Sequence, residues 1–165
     1  ARRIKARHPD TCFQLLGAVG SENRTAIDMK TVQSWVSEGV IEYLGTTKDV
    51  RPAIAAASRV VLPSYREGAP RTLIEAAAME RPLIATDVPG CRSVVDQGVN
   101  GFLCAVHDAD SLAMAIERFM ALAPEDRRAM GQAGRAKMER EFDQTIVVDA
   151  YLEAISHLVQ QSGAA

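Results

Sequence analysis

The sequence predicts an α/β domain with a parallel, Rossmann-like sheet. Three observations carry this: five short apolar runs, helix-period segments between them, and glycine-bearing loops that follow the runs. Crossovers in such a fold are right-handed, helices cover both sheet faces, and ligands bind beyond the carboxyl ends of the strands. The ligand face is therefore expected from the loops after Gly17, Leu44, Pro63 and Thr86.

Residues 1–8 read as the last turns of a helix ended by Pro9. There is no initiator Met, so the chain is expected to begin inside a longer one. Residues 12–17 form the first strand and 18–28 a polar loop. Met29, Val32, Trp35 and Val36 then recur at helical spacing, with Gly39 as the C-cap. Residues 40–45 are the next strand, and Asp49 caps a helix through Ala57 that tolerates Pro52 in its first turn. Val60, Val61 and Leu62, stopped by Pro63, make a buried strand. After a polar loop, Pro70 stands where a first helical residue would sit and opens an alanine-rich helix. Residues 82–86 are a strand, 87–91 a loop, 92–95 about one helical turn, 96–101 a turn and 102–105 the last strand. Helices follow over about 110–122, 124–142 and 144–159, with fraying expected from Gly163.

Across 165 residues, 47% hydrophobic and 24% charged, the composition is globular, and no apolar run approaches the roughly 18 residues of a membrane span. One domain over 1–165 is expected, soluble and cytoplasmic. A net charge of −2 and only eight aromatic residues argue against a nucleic-acid surface with stacking platforms. Cys12, Cys91 and Cys104 lie in or beside strands without a C-x-x-C pair and read as buried, reduced thiols.

The chemistry concentrates between Val60 and Met79, where a strand feeds a loop that opens onto a helix N-terminus. The first amides of a helix have no partners inside it, so such a junction suits an anion. Glu67 and Glu75 bracket the helix start with seven residues between them. Glu75 is the only charge in an apolar and alanine-rich stretch. It either accepts two hydrogen bonds from a vicinal diol or pairs with Arg71 one turn back. Glu67 alone reads as an electrostatic cap. Together with Gly68 and Pro70, it leaves the amides of Arg71 and Thr72 free for a phosphate while a carboxylate reaches a sugar hydroxyl. Arg71 either adds a cation or is solvated.

At this point the chain resembles a family. The E-x7-E of Glu67 and Glu75 lies within Pro-Ser-Tyr-Arg-Glu-Gly-Ala-Pro-Arg-Thr-Leu-Ile-Glu-Ala. It is followed by Arg-Pro-Leu-Ile-Ala-Thr-Asp-Val-Pro-Gly-Cys-Arg and Gly-Val-Asn-Gly-Phe-Leu. This is similar to the C-terminal, donor-binding domain of retaining GT-B glycosyltransferases (glycosyltransferase family 4), most like the bacterial capsule and O-antigen branch. The resemblance implies one half of a GT-B fold and a nucleotide-sugar donor, a UDP-sugar expected, with a lipid-linked or polysaccharide acceptor. It implies Glu67 on the donor sugar as the catalytic residue and Glu75 on the ribose. Gly68 and the amides around Ala69, Arg71 and Thr72 would meet the diphosphate, Gly45 would lie by the base, and Gly17 would border the nucleotide pocket.

The sequence departs from the family in two places. Pro70 replaces a glycine often seen in that slot and removes one amide donor. The family's opening strand, with a loop carrying an Arg and a Lys, is expected to precede residue 1, so a break in the sheet is expected between residues 13–16 and 60–62. The acceptor-binding N-terminal domain is the implied partner in the same full-length chain. Through that domain the protein is expected at the cytoplasmic face of the inner membrane. No metal or other cofactor is expected, and the fragment alone is expected to lack turnover. A UDP-sugar 2-epimerase and a non-catalytic nucleotide-sugar-binding module are the alternatives.

Other patterns read as structural. Asp108 and Asp110 spell D-x-D but precede Ser111 as a helix cap would. His8, His107 and His157 lack metal-ligand spacing, and Gly17 and Gly20 lack a third fingerprint glycine. Arg127, Arg128, Arg135, Lys137 and Arg140, interleaved with acids, read as a solvated helix face.

Overall fold

The structure, a computed structural model, describes residues 1–20 and 26–162. Part of the loop expected over 18–28 and the fraying expected from Gly163 lie outside the described residues. Contacts cluster the chain into two compact units, Ala1–Ala53 and Ile54–Ala165.

The first unit holds α1 (Arg2–Arg7), β1 (Gln14–Leu16), α2 (Met29–Ser37) and β2 (Glu42–Gly45). Asp28 caps α2 by accepting from the Thr31 amide at 2.7 Å, and Gly39 follows its end at φ +69°, the left-handed conformation a C-terminal glycine supplies. β1 and β2 run parallel, pairing Gln14 with Glu42 and Leu15 with Tyr43 before a shift that sets Leu16 against Gly45. Asp49, expected to cap the next helix, stands two residues ahead of α3 (Arg51–Ala56) and accepts from the Arg51 amide at 3.0 Å.

The second unit is built on β3 (Val60–Leu62), β4 (Leu83–Thr86) and β5 (Gly101–Cys104), parallel and in the order β3-β4-β5. Leu83, Ile84 and Ala85 in the central strand are 0% exposed, so both sheet faces are covered, which is why this strand reads as a continuous apolar run. α4 (Arg71–Ala78) packs on β3 and β4, α6 (Ala109–Ala121) on β4 and β5, and α7 (Pro124–Glu141) on α4. α5 (Pro89–Val94) and α8 (Gln144–Ser162) complete the unit. The described strands thus form a two-stranded sheet, β1-β2, in the first unit and a three-stranded sheet, β3-β4-β5, in the second.

α4 ends in a paired-hydrogen-bond cap. The Glu80 amide donates to the Ala77 carbonyl at 3.0 Å and the Arg81 amide to that of Ala76 at 2.9 Å, with Glu80 at φ +57° where glycine is usual. Gly131 of α7 lies so close to the Glu80 carbonyl that a Cβ there would collide with it.

Four expectations need correction. Pro70 is the N-cap of α4, not its first residue, with extended backbone at ψ 93°. α5 starts at Pro89, three residues before the predicted turn, because a proline at the first helical position costs no hydrogen bond. Cys12 is exposed, while Cys91 and Cys104 are buried. The basic run of α7 is not all solvated. Arg127 lies over the Phe119 ring and donates to the Met120 carbonyl. Lys137 is buried, with its Nζ 2.7 Å from Asp96 and 3.3 Å from Glu141. Burial opposes the Lys137 charge, but the hydrogen bonds to Asp96 and Glu141 outweigh it and raise the pKa.

Lys137→Met is expected to lower stability by about 1–2 kcal/mol at neutral pH in urea titrations, given partners that are themselves half exposed. The raised folded pKa means that this contribution is complete below the ordinary lysine value of 10.5 and is lost as pH climbs through the folded value, so the two proteins should converge in strong alkali. Glu80→Gly should raise stability by about 0.5–1 kcal/mol in thermal melts, by removing left-handed strain from a residue with a Cβ.

Candidate functional site

The loop from β3 to α4 leaves the carboxyl end of a sheet strand and delivers Glu67, Gly68 and Ala69 to the start of α4. Leu73, Ala76 and Ala77 are 0% exposed, which fixes the helix on the sheet and presents its amino end beside the loop. The Leu73 and Ile74 amides donate to the Pro70 carbonyl at 2.9 and 3.2 Å. The amides of Gly68, Ala69, Arg71 and Thr72 make no hydrogen bond among the described residues. Four donors and the positive end of the helix dipole thus stand together.

Glu67 is half-buried just ahead of them. Glu75 keeps 41% of its side chain exposed, with Oε1 3.7 Å from an Nη of Arg71, whose side chain is 88% exposed. The pairing one turn back is therefore present, and at that exposure it contributes little and is easily exchanged for a ligand.

Two residues that the sequence reading did not single out hold this loop from beneath. Thr86, buried at the end of β4, donates its hydroxyl to the Ser64 carbonyl. Gly90, in the first turn of α5, lies directly against the carbonyls of Glu67 and Gly68, where a Cβ has no room. Cys91 beside it is fully buried. Burial pushes its thiol pKa up and the Glu67 charge adds to this, with the nearby Thr86 hydroxyl acting in the opposite direction. A polar residue closing an apolar strand was the available signal for Thr86; Gly90 looked like one more loop glycine.

Gly17 and Gly45 belong to the first unit. The Gly17 amide donates to the Gly45 carbonyl at 2.9 Å, and the Tyr43 hydroxyl donates to the Gly17 carbonyl at 2.9 Å. Both glycines have positive φ, +148° and +74°, at the carboxyl ends of β1 and β2. The structure thus brings Glu67, Gly68, Ala69, Arg71, Thr72 and Glu75 together in one unit, and Gly17 with Gly45 in the other. Asp108 accepts from the Asp110 and Ser111 amides at 2.9 Å each, which makes the D-x-D a helix cap. Among the described residues no group of three or more His, Cys, Asp or Glu is arranged to hold a metal ion, and no helix is long and apolar enough to cross a membrane.

A parallel sheet with helices on both faces and an acid-flanked helix start beyond a strand end is the architecture of one half of a GT-B glycosyltransferase. The family model described as "Glycosyl transferases group 1" matches residues 1–121, and the chain belongs to that family. HepE of Anabaena, solved in complex with UDP, aligns with a TM-score of 0.80 and 22% identity over 90% of this chain and 42% of its own. The lipopolysaccharide core biosynthesis glycosyltransferase LpsE of Rhizobium meliloti is 28% identical over 151 residues, 92% of this chain and 43% of the relative. The N,N'-diacetylbacillosaminyl-diphospho-undecaprenol alpha-1,3-N-acetylgalactosaminyltransferase of Campylobacter jejuni is 24% identical over 127 residues, 76% of this chain and 33% of the relative. The chain therefore spans about a third to two fifths of these proteins.

Gly90→Ala is expected to cost about 1–3 kcal/mol in chemical denaturation, because the new methyl must displace the backbone of Glu67 and Gly68. Gly68→Ala, with nothing within 4 Å of the added carbon, should stay within about 0.5 kcal/mol of the parent.

Proposed function

We propose that the protein carrying this chain is a metal-independent, retaining glycosyltransferase of envelope polysaccharide synthesis. It moves a sugar from a UDP-sugar to a lipid-linked or polysaccharide acceptor, and this chain is its donor-binding half. The observation that carries the reading is the cluster of unbonded amides at Gly68, Ala69, Arg71 and Thr72, flanked by Glu67 and Glu75.

Departure of the nucleoside diphosphate leaves negative charge on its distal phosphate. Preorganised amides and a helix amino end stabilise such charge without reorganising at the moment of reaction. Glu75 exchanges its exposed contact with Arg71 for the two hydroxyls of the ribose. Glu67, nearer the loop tip, accepts from the donor sugar and sets it against the acceptor. The acceptor binds to an N-terminal domain of the full-length protein at the cytoplasmic face of the membrane. HepE, solved with UDP on the same fold, and the envelope polysaccharide enzymes among the relatives support UDP and this acceptor class.

The test is transfer by the full-length protein from a panel of radiolabelled UDP-sugars to a polyprenyl-diphosphate-linked saccharide, with the anomeric configuration of the product read by NMR. A product of inverted configuration, epimerised donor, or loss of transfer on chelation would each contradict the reading. Glu75→Gln should weaken UDP binding about tenfold in calorimetric titration. Glu67→Gln should leave UDP affinity within about twofold while lowering kcat by 10²-fold or more, on the order of a lost transition-state contact.

A further inference from the structure

Tyr65, two residues before Glu67, stacks its ring on the imidazole of His107, with centroids 3.9 Å apart and planes 21° from parallel. His107 belongs to the loop between β5 and α6, whereas Tyr65 belongs to the loop between β3 and α4. With β4 between those two strands, the loops start about 9–10 Å apart, so the ring pair spans the carboxyl end of β4.

Two features make this contact costly as a device for stability. His107 sits at φ +58°, a left-handed conformation that a residue with a Cβ adopts at a penalty. Tyr65 remains 59% exposed, so stacking removes little apolar surface from water. Strain held for so little burial is more often found where geometry serves a site. Thr86 and Gly90 fix the loop from the sheet side, at Ser64 and at Glu67 and Gly68. The stack supplies a further tether.

We propose that Tyr65 and His107 are positioning residues, a clasp that holds the Glu67 loop and its free amides in the geometry that receives the donor diphosphate. The proposal rests on the reading of this loop as the donor site. The clasp itself touches no reacting atom; it limits the conformations the loop must give up on binding.

The test compares Tyr65→Ala and His107→Gly with Tyr65→Phe and His107→Phe in the protein. UDP titration, thermal melting and NMR order parameters of the residue 65–69 amides are read on each. Tyr65→Ala and His107→Gly should weaken UDP binding fivefold or more, on the order expected for lost preorganisation, and drop the loop order parameters from about 0.85 toward 0.6. Both Phe variants, which keep a stacked ring, should stay within about twofold of the parent. His107→Gly also relieves the left-handed strain, so its melting temperature should hold or rise while affinity falls, a split that a purely stabilising stack cannot produce. UDP affinity and loop order within twofold of the parent in both stack-less variants would overturn the clasp, as would affinity that falls only in step with melting temperature. If the parent itself fails to bind UDP, the donor-site reading fails, and the order parameters of the loop still decide the clasp.

Discussion

Burial of β4 on both faces is the constraint from which the site follows. With Leu83, Ile84 and Ala85 excluded from water, the strand can only end where a polar group finds a partner, and Thr86 finds it in the Ser64 carbonyl. That bond anchors the neighbouring loop to the end of the central strand. The chain then turns directly into α5, whose Gly90 lets backbone rest on backbone under Glu67 and Gly68. The Glu67 loop is thus held from beneath by one side-chain hydroxyl bond and one backbone-on-backbone contact.

The amino end of α4 is located as much by its far end as by the loop. The cap at Glu80 closes the helix, and Gly131 brings α7 against the Glu80 carbonyl. Alanines at 76 and 77 keep that side of the helix thin enough for close approach. One face of α4 is therefore core, while the edge bearing Arg71 and Glu75 stays open. The same short helix is packed on one side and open to solvent on the other.

Much of this was legible in the sequence, for identifiable reasons. The strands at 60–62 and 83–86 are short, apolar and bounded by Pro63 and Pro82, and the helix after Pro70 has no competing signal. The caps at Asp28 and Asp108 are local effects; the Asp108 pattern before Ser111 reads as a cap, while 18–28 reads simply as loop. What was hidden depends on contacts distant in the chain. Lys137 looked solvated because its partner Asp96 is 41 residues away. Gly90 and the Tyr65–His107 pair carry no periodicity, since their meaning comes from the order of strands rather than from spacing. Pro70 stands one position earlier than expected because proline suits both the cap and the first turn.

Cys91 adds a consequence of another kind. Its thiol is fully enclosed, raised in pKa by burial first and by the Glu67 charge second, so at neutral pH it is protonated and sheltered. Cys12, by contrast, lies on the surface of the first unit. An alkylating reagent therefore meets Cys12 directly but reaches Cys91 only when the layer beneath the Glu67 loop opens. The molecule carries its own clock for that opening: the lag between the two modifications measures how often the floor of the site comes apart.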